Sequence, residues 1–283
     1  MKGRAILASA LCLVLSLTGC GAGGADRAQT AQQEPAQQEP AGPFTADTPV
    51  EAVLQDDAFG DYGRLLFPVD TGYWSGDTLG ELQLTWYNNI DPEETVEIVN
   101  TLWQRAEVGE TVFYDIYTEA EKAQDPDKAD TGLFFFKGEA GAPFAVCNAG
   151  GGFAYVGAMQ DSFPHALELS KRGYNAFALI YRPGAFGEED LPRPAAVVLQ
   201  YTGHAEYTPE DPPTFACVGE SDWIANWRTM ERRLQALQDL GIPTEFHHYP
   251  GLPHGFGLGT GTVAEGWLDE AVAFWEAQRA PQS

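Results

Sequence analysis

The feature that most limits the possible folds is an alternation of strand-like and helix-like segments between residues 111 and 278. The strand-like segments are short and apolar, and the first two are predicted to pair: TVFYDIY (111–117), GLFFFKG (132–138), PFAVCNA (143–149), YNAFALIYR (174–182), PAAVVLQYTG (194–203), PPTFACVGESD (212–222) and TEFHHYP (244–250). The helix-like segments are SFPHALELSKRG (162–173), NWRTMERRLQALQDLG (226–241) and AEGWLDEAVAFWEAQ (264–278). This alternation predicts an α/β fold with a mostly parallel sheet and helices on both of its faces.

The composition narrows the class of protein. The 283 residues are 44% hydrophobic and 12% aromatic, which is enough for a sizeable core. The formal net charge is −25, and this excludes a nucleic-acid-binding protein because neutralising phosphates requires clustered Lys and Arg. Such acidity is typical of a protein that remains soluble outside the cytoplasm.

The N-terminus has the pattern of a bacterial export signal. Lys2 and Arg4 precede an apolar run, residues 5–17, that is too short to span a bilayer comfortably. The run ends in LTGC, residues 17–20, which resembles the lipobox of bacterial lipoproteins. The resemblance implies a signal peptide over residues 1–20, lipid attached to Cys20, and an extracytoplasmic protein anchored to the cell envelope. An ordinary signal peptide with a chance cysteine is the alternative.

Two segments separate the signal from the alternating region. Residues 21–43 contain the duplication AQQEP-AQQEP and few residues that could pack, which predicts a disordered tether. Residues 44–110 form an N-terminal extension, in which EETVEIVNTLWQRA (93–106) places Val96, Val99 and Trp103 at helical spacing.

A glycine-rich loop follows PFAVCNA (143–149), which is predicted to be a buried strand. Three consecutive glycines, residues 150–152, allow positive φ angles and let a ligand approach bare main-chain N–H groups. Main-chain donors in this arrangement suit an oxyanion hole, in which they stabilise a developing negative oxygen. Gly151 and Gly152 are the candidate donors.

Three motifs give the chain, from about Phe59 to its end, a resemblance to esterases of the α/β-hydrolase fold. NAGGGF matches the HGGGF oxyanion loop of that fold, with Ala149 in place of the usual histidine. VGESD matches the turn that carries the triad acid, and YPGLPHGF matches the turn that carries the triad histidine. The resemblance is to bacterial lipoproteins related to acetyl and feruloyl esterases that act on decorated polysaccharides. It implies that residues 111–283 are a hydrolase domain.

The resemblance implies catalytic roles for Asp222 and His254. In a triad the carboxylate fixes the imidazole tautomer, so that the other ring nitrogen can accept a proton. Each residue also has an ordinary interpretation: Asp222 precedes a predicted helix, where Asp is favoured, and His254 lies in a turn. The other histidines are interpreted as ordinary, namely His165, His204, His247 and His248.

The sequence lacks the nucleophile that this fold requires. The serine motif G-x-S-x-G belongs between the segments 174–182 and 194–203, but only PGAFGEEDLPR lies there. One βαβ unit needs about 30 residues, so these eleven cannot contain the nucleophile strand and its flanking helices. The truncation predicts a seam at residues 184–187 and direct pairing of strand 143–149 with strand 194–203.

No other residue is a good substitute nucleophile. After the signal peptide, the serines are Ser75, Ser162, Ser170, Ser221 and Ser283, and none lies on a strand-to-helix elbow. Cys147 and Cys217 lie inside apolar strand-like segments, which predicts buried thiols; their spacing fits no metal motif. A disulfide between them stays open. No cofactor or metal is expected.

Two functions therefore remain open from the sequence. One is a membrane-tethered carboxylesterase or carbohydrate acetyl-esterase type of protein whose hydrolysis is lost or impaired. The other is a non-catalytic lipoprotein that binds a ligand or glycan on a degenerate hydrolase fold. The expected partners are a small ester or acylated carbohydrate and, through the lipid anchor, a membrane.

Overall fold

The predicted alternation of strands and helices is present in the computed structural model, which describes residues 42–84, 90–152, 154–183 and 193–279. These residues belong to one unit that covers residues 39–283. The predicted signal peptide, its Cys20, nearly all of the tether and the seam at residues 184–187 lie outside the described residues. In the ranges described, no helix combines the length and the apolar character needed to cross a membrane.

The helices and strands follow the predicted segments, with ends that differ by a few residues. The α-helices are α1 (Val50–Leu54), α2 (Pro92–Glu107), α3 (Glu119–Gln124), α4 (Ala158–Asp161), α5 (Phe163–Lys171), α6 (Trp227–Asp239) and α7 (Trp267–Arg279). The strands are β1 (Trp74–Ser75), β2 (Gln83–Leu84), β3 (Phe113–Tyr114), β4 (Gly132–Phe136), β5 (Phe144–Asn148), β6 (Asn175–Ile180), β7 (Val197–Gln200), β8 (Thr214–Gly219) and β9 (Thr244–Tyr249).

Helix α2 confirms the helix predicted over residues 93–106. Its first turn is capped by the Asp91 side chain, which accepts hydrogen bonds from the N–H groups of Glu93 and Glu94, and Pro92 occupies a position where no N–H is needed. Its apolar stripe buries Ile98, Val99 and Leu102. Residues of the N-terminal extension thereby join one hydrophobic core with β4, β6 and α5.

The main strands form two sheets. One has four strands in the order β3-β4-β6-β5, in which β3–β4 and β4–β6 are antiparallel and β5–β6 is parallel. The other has three parallel strands in the order β7-β8-β9. The antiparallel pairing of the first two predicted strands is confirmed, although β3 contributes only two residues to it.

The prediction that β5 pairs directly with β7 is wrong. Within the described ranges β5 pairs only with β6, and β7 pairs only with β8. A parallel pairing of β5 with β7 would require the chain that leaves β6 to cross over β5, and such crossovers are usually helical. The connecting segment contains Pro183, Gly184, Gly187 and Pro192, which disfavour a helix.

The prediction that residues 143–149 form a buried strand is also wrong. Alternate residues of β5 are exposed, and the side chains of Phe144 and Val146 are 64% and 48% exposed. In β8, by contrast, all six residues are buried. The second hydrophobic core lies around β8, α6 and α7. Contacts between α5 and α7, such as the His165 ring against the Trp267 ring at 5.5 Å, connect the two cores.

Candidate active site

Asp222 and His254 form a hydrogen-bonded pair, as predicted. His254 Nδ1 lies 2.7 Å from Asp222 Oδ2, and the two side chains are 8% and 0% exposed. Asp222 follows β8 and His254 follows β9, and these neighbouring strands are parallel. The two side chains therefore meet at the carboxyl edge of the three-stranded sheet, where open α/β sheets bind ligands. Their catalytic roles remain predictions.

Asp222 can serve both as the entry residue of a helix and as the partner of His254, because the two roles use different carboxylate oxygens. Oδ1 accepts hydrogen bonds from the N–H groups of Ile224 and Ala225, at 2.8 and 2.7 Å, which fixes the turn before α6. Oδ2 is thereby left for His254. An ionised carboxylate only accepts hydrogen bonds, so we assign the Nδ1–H tautomer to His254, in which Nε2 is the basic nitrogen.

The glycine loop after β5 has the backbone that its sequence predicts. Gly151 has φ +147° and Gly152 has φ +60°, and a Cβ at Gly151 would lie 1.8 Å from the carbonyl oxygen of Tyr155. Only glycine fits such a position. Among the residues that the structure describes, the N–H groups of Gly151 and Gly152 donate no hydrogen bond. The oxyanion role of both residues stays a prediction.

Two further residues of the site, Asp161 and Tyr201, were not identified from the sequence. The Asp161 carboxylate accepts a hydrogen bond from the Tyr201 hydroxyl at 2.7 Å and one from the Gly150 N–H at 3.3 Å. The Tyr201 ring packs on the His254 ring with a centroid distance of 4.8 Å. Tyr201 also has φ +38°, the one positive φ among the non-glycine residues described. No sequence motif marks this arrangement.

Burial sets the electrostatics around Asp161. It raises the pKa of the Asp161 carboxyl, and the hydrogen bond from Tyr201 opposes that rise. Burial lowers the pKa of His165, which favours the neutral imidazole, and its Nδ1–H donates to the main-chain carbonyl of Asp161. The pKa values of Tyr155 and Tyr181 are raised, first by burial and then by the charge of Asp161.

None of the described serines is hydrogen-bonded to His254. Ser162 Oγ is buried and has no hydrogen-bond partner, and Ser170 Oγ donates to the carbonyl of Leu167. Ser75 lies in β1, and Ser221 is exposed beside Asp222. Ser283 lies outside the described residues.

The two described cysteines are free thiols. Burial raises the pKa of Cys147 to about 12 and raises that of Cys217 well above its usual range. A thiol must lose its proton to act as a nucleophile or metal ligand, so neither cysteine is poised for such chemistry. Over the searched part of the chain, no group of His, Cys, Asp and Glu could hold a metal ion.

Buried polar atoms without partners concentrate beside the glycine loop. Among the described side chains, they include both amide atoms of Gln160, Oγ of Ser162 and Nε2 of His165. These residues are 2%, 0% and 7% exposed. Buried polar groups are normally hydrogen-bonded, so four such atoms within six residues mark an incompletely satisfied part of the fold.

A cavity of about 200 Å³ is lined in part by residues 154–156, which follow the three glycines. Its walls come from the N-terminal extension, residues 154–156, the end of β6 and the segment before β4. They are Leu65, Phe67, Pro68, Val69, Asp70, Asp130, Ala154, Tyr155, Val156, Ile180, Tyr181 and Pro183. The Tyr155 ring stacks on that of Tyr73 at 4.8 Å, and the Tyr181 hydroxyl donates to the carbonyl of Ala149. The cavity thus has both aromatic rings and the side chains of Asp70 and Asp130 in its walls.

Comparison with known proteins gives a distant structural likeness. No protein-family profile matches the sequence. No curated protein matches it.

Several solved α/β-hydrolase structures match about half of the chain. An α/β-hydrolase enzyme from a Medee basin deep-sea metagenome library is 19% identical over 52% of this chain and 92% of its own, with a TM-score of 0.44. An acetyl ester-xyloside bifunctional hydrolase from Caldicellulosiruptor lactoaceticus is 18% identical over 52% of this chain and 88% of its own, with a TM-score of 0.46. A propionate-bound esterase from Thermogutta terrifontis is 17% identical over 56% of this chain and 93% of its own, with a TM-score of 0.44.

Proposed function

We propose that this chain is a membrane-tethered, extracytoplasmic protein of the carboxylesterase or carbohydrate acetyl-esterase type that has lost hydrolysis through an acyl-enzyme. The observation that carries the proposal is the 2.7 Å hydrogen bond between His254 Nδ1 and a fully buried Asp222 side chain. The pair is linked to the glycine loop through Tyr201 and Asp161, which supports a site in which a general base and main-chain oxyanion donors remain.

The loss of the acyl-enzyme step follows from the serines. Ser162 is buried, Ser170 is hydrogen-bonded within its own helix, and the segment between β6 and β7 contains no serine. In the studied triad, removal of the nucleophile lowers turnover about a millionfold, although the oxyanion hole and binding leave a residual rate. The acid–histidine pair alone would therefore give negligible covalent ester hydrolysis.

A labelling experiment tests this proposal. The full chain is incubated with a fluorophosphonate probe and, separately, with p-nitrophenyl acetate, beside the variants His254→Ala and Asp222→Asn. We expect no labelled serine, and a hydrolysis rate that is the same in all three proteins. Stoichiometric labelling of any serine, together with a rate that falls on replacement of His254, would overturn the proposal.

The cavity favours a second candidate, a protein that binds its ligand without turning it over. At about 200 Å³ the cavity is smaller than the 300–1,000 Å³ typical of sites for drug-sized ligands, so it fits a short acyl group or one ring. The probes are an acetylated xylo-oligosaccharide and its deacetylated form. Ala154→Trp fills the cavity mouth and should abolish calorimetric binding, whereas Ala120→Trp, on an exposed position of α3, should not.

The tether is tested independently of the site. If Cys20 carries lipid, Cys20→Ser should release the protein from the membrane fraction or block its processing. Cys12→Ser is the matched control, because Cys12 lies within the proposed signal peptide and its loss should leave fractionation unchanged. Membrane association that survives Cys20→Ser would contradict the lipid anchor.

A further inference from the structure

We propose that Asp161 is a positioning residue of the candidate site, whose carboxylate ties the glycine loop after β5 to Tyr201 after β7. The inference rests on the proposed function only in treating the glycine loop and His254 as the functional site. The Asp161 carboxylate makes no hydrogen bond to the candidate oxyanion donors or to the imidazole. It acts on the donors through Gly150 and on the imidazole through Tyr201.

The carboxylate uses its two oxygens for two different parts of the fold. Oδ2 accepts from the N–H of Gly150, which precedes the candidate oxyanion donors, and Oδ1 accepts from the hydroxyl of Tyr201. Gly150 follows β5 of the four-stranded sheet, and Tyr201 follows β7 of the three-stranded sheet. Because β5 and β7 do not pair in the described part of the chain, this carboxylate supplies a polar connection where no strand ladder does.

Tyr201 has an unfavourable backbone conformation that its contacts hold in place. A φ of +38° is unfavourable in a residue with a Cβ, and such conformations persist where the surrounding structure holds them in place. The surroundings include the hydrogen bond from the Tyr201 N–H to the carbonyl of Cys217, the hydrogen bond to Asp161, and ring contacts with His254 at 4.8 Å and Phe256 at 4.9 Å. The carboxylate therefore fixes the ring that packs on the imidazole.

The connection depends on the charge of Asp161. An ionised carboxylate accepts both hydrogen bonds, whereas a protonated one carries a hydrogen that competes with one of the two donors. The titratable groups that face Asp161 are Tyr201, His165, His254, Tyr155 and Tyr181. Burial raises the pKa of Asp161, so the geometry of the loop should change as the pH falls through a range higher than that of an ordinary aspartate.

The Gly150 amide reports this change directly. Labelling of Ala carbonyl carbons with ¹³C and Gly nitrogens with ¹⁵N selects Ala-Gly pairs, of which the sequence has four, and Ala149-Gly150 is one of them. We expect the Gly150 amide of the full chain in detergent to shift with pH in one transition. Asp161→Asn should abolish that transition.

The tyrosine variants separate positioning from a merely structural role. Tyr201→Phe removes the hydrogen bond that favours the ionised carboxylate, so the transition should move to higher pH. Tyr181→Phe is the matched control, because the Tyr181 hydroxyl donates to the same loop at Ala149 but not to the carboxylate, and it should leave the midpoint unchanged.

Two results would overturn the inference: a Gly150 transition that persists in Asp161→Asn, or equal midpoints in wild type and Tyr201→Phe. If Asp161→Asn does not fold, the comparison of the two tyrosine variants decides alone. Labelling by a fluorophosphonate, together with a rate that falls on replacement of His254, would overturn the proposed function and leave this titration untouched, so the two failures are distinguishable.

Discussion

Strands β5 and β8 have similar sequences and opposite environments. Both carry Phe, Ala, Val and Cys, in FAVCN and TFACVG. Strand β8 lies between β7 and β9 and buries all six of its residues, whereas β5 has β6 as its one partner among the described strands and exposes alternate residues. The difference teaches that the apolar content of a segment predicts a strand, and that the number of its neighbours decides whether the strand is buried.

The largest expected difference between the two strands is in stability. Phe215→Ala in β8 removes a ring with 0% exposure and should cost about 3–5 kcal/mol of unfolding free energy. Phe144→Ala in β5 removes a ring that is 64% exposed and should change it by about 0.5 kcal/mol or less. Denaturant unfolding measures both, and equal losses would show that β5 is as well packed as β8.

Hydrogen exchange should show the same contrast without mutation. Both edges of β8 are hydrogen-bonded, so its amides should exchange only through global unfolding. In β5 the N–H groups that point away from β6 should exchange at least about 100-fold faster than those of β8. Protection of those β5 amides to the level of β8 would reveal a second neighbour for this strand.

A smaller effect concerns two buried hydroxyls. Thr214 Oγ1, at the start of β8, donates to the carbonyl of Pro212, whereas Ser162 Oγ, beside the glycine loop, has no partner. Thr214→Val should therefore cost about 1 kcal/mol, and Ser162→Ala should be neutral or stabilising. A loss of about 1 kcal/mol in Ser162→Ala as well would mean that its hydroxyl is satisfied, for instance by a buried water.

The smallest expected difference is in thiol reactivity. The raised pKa values of Cys147 in β5 and Cys217 in β8 keep both thiols protonated at pH 8. We expect neither to react with an aromatic disulfide reagent faster than the protein unfolds. Rapid reaction of Cys147 alone would show that β5 opens locally, which would widen the contrast between the strands.

Much of the fold could be predicted from the sequence because its signals are local. The spacing of apolar residues and the Asp91-Pro92 start locate α2 to within a residue at each end. The environment of β5 could not be predicted in this way, since pairing depends on the chain between β6 and β7 rather than on FAVCN itself.

The candidate site also contains residues that local sequence signals identify and residues that they do not. The pairing of Asp222 with His254 was predictable because each lies in a recognisable turn motif. Asp161 and Tyr201 are 40 residues apart, and neither lies in such a motif, so only the three-dimensional structure brings them together.

One edge of β5 has no partner among the described strands, and this has a consequence for the behaviour of the protein in solution. A strand with unpaired N–H and C=O groups and exposed apolar side chains is a template for a strand of another molecule. The net charge of −25 opposes such encounters through repulsion between copies. Salt screens this repulsion, with a Debye length that falls from about 30 Å at 0.01 M to about 3 Å at 1 M. Colloidal stability should therefore decline as the ionic strength rises.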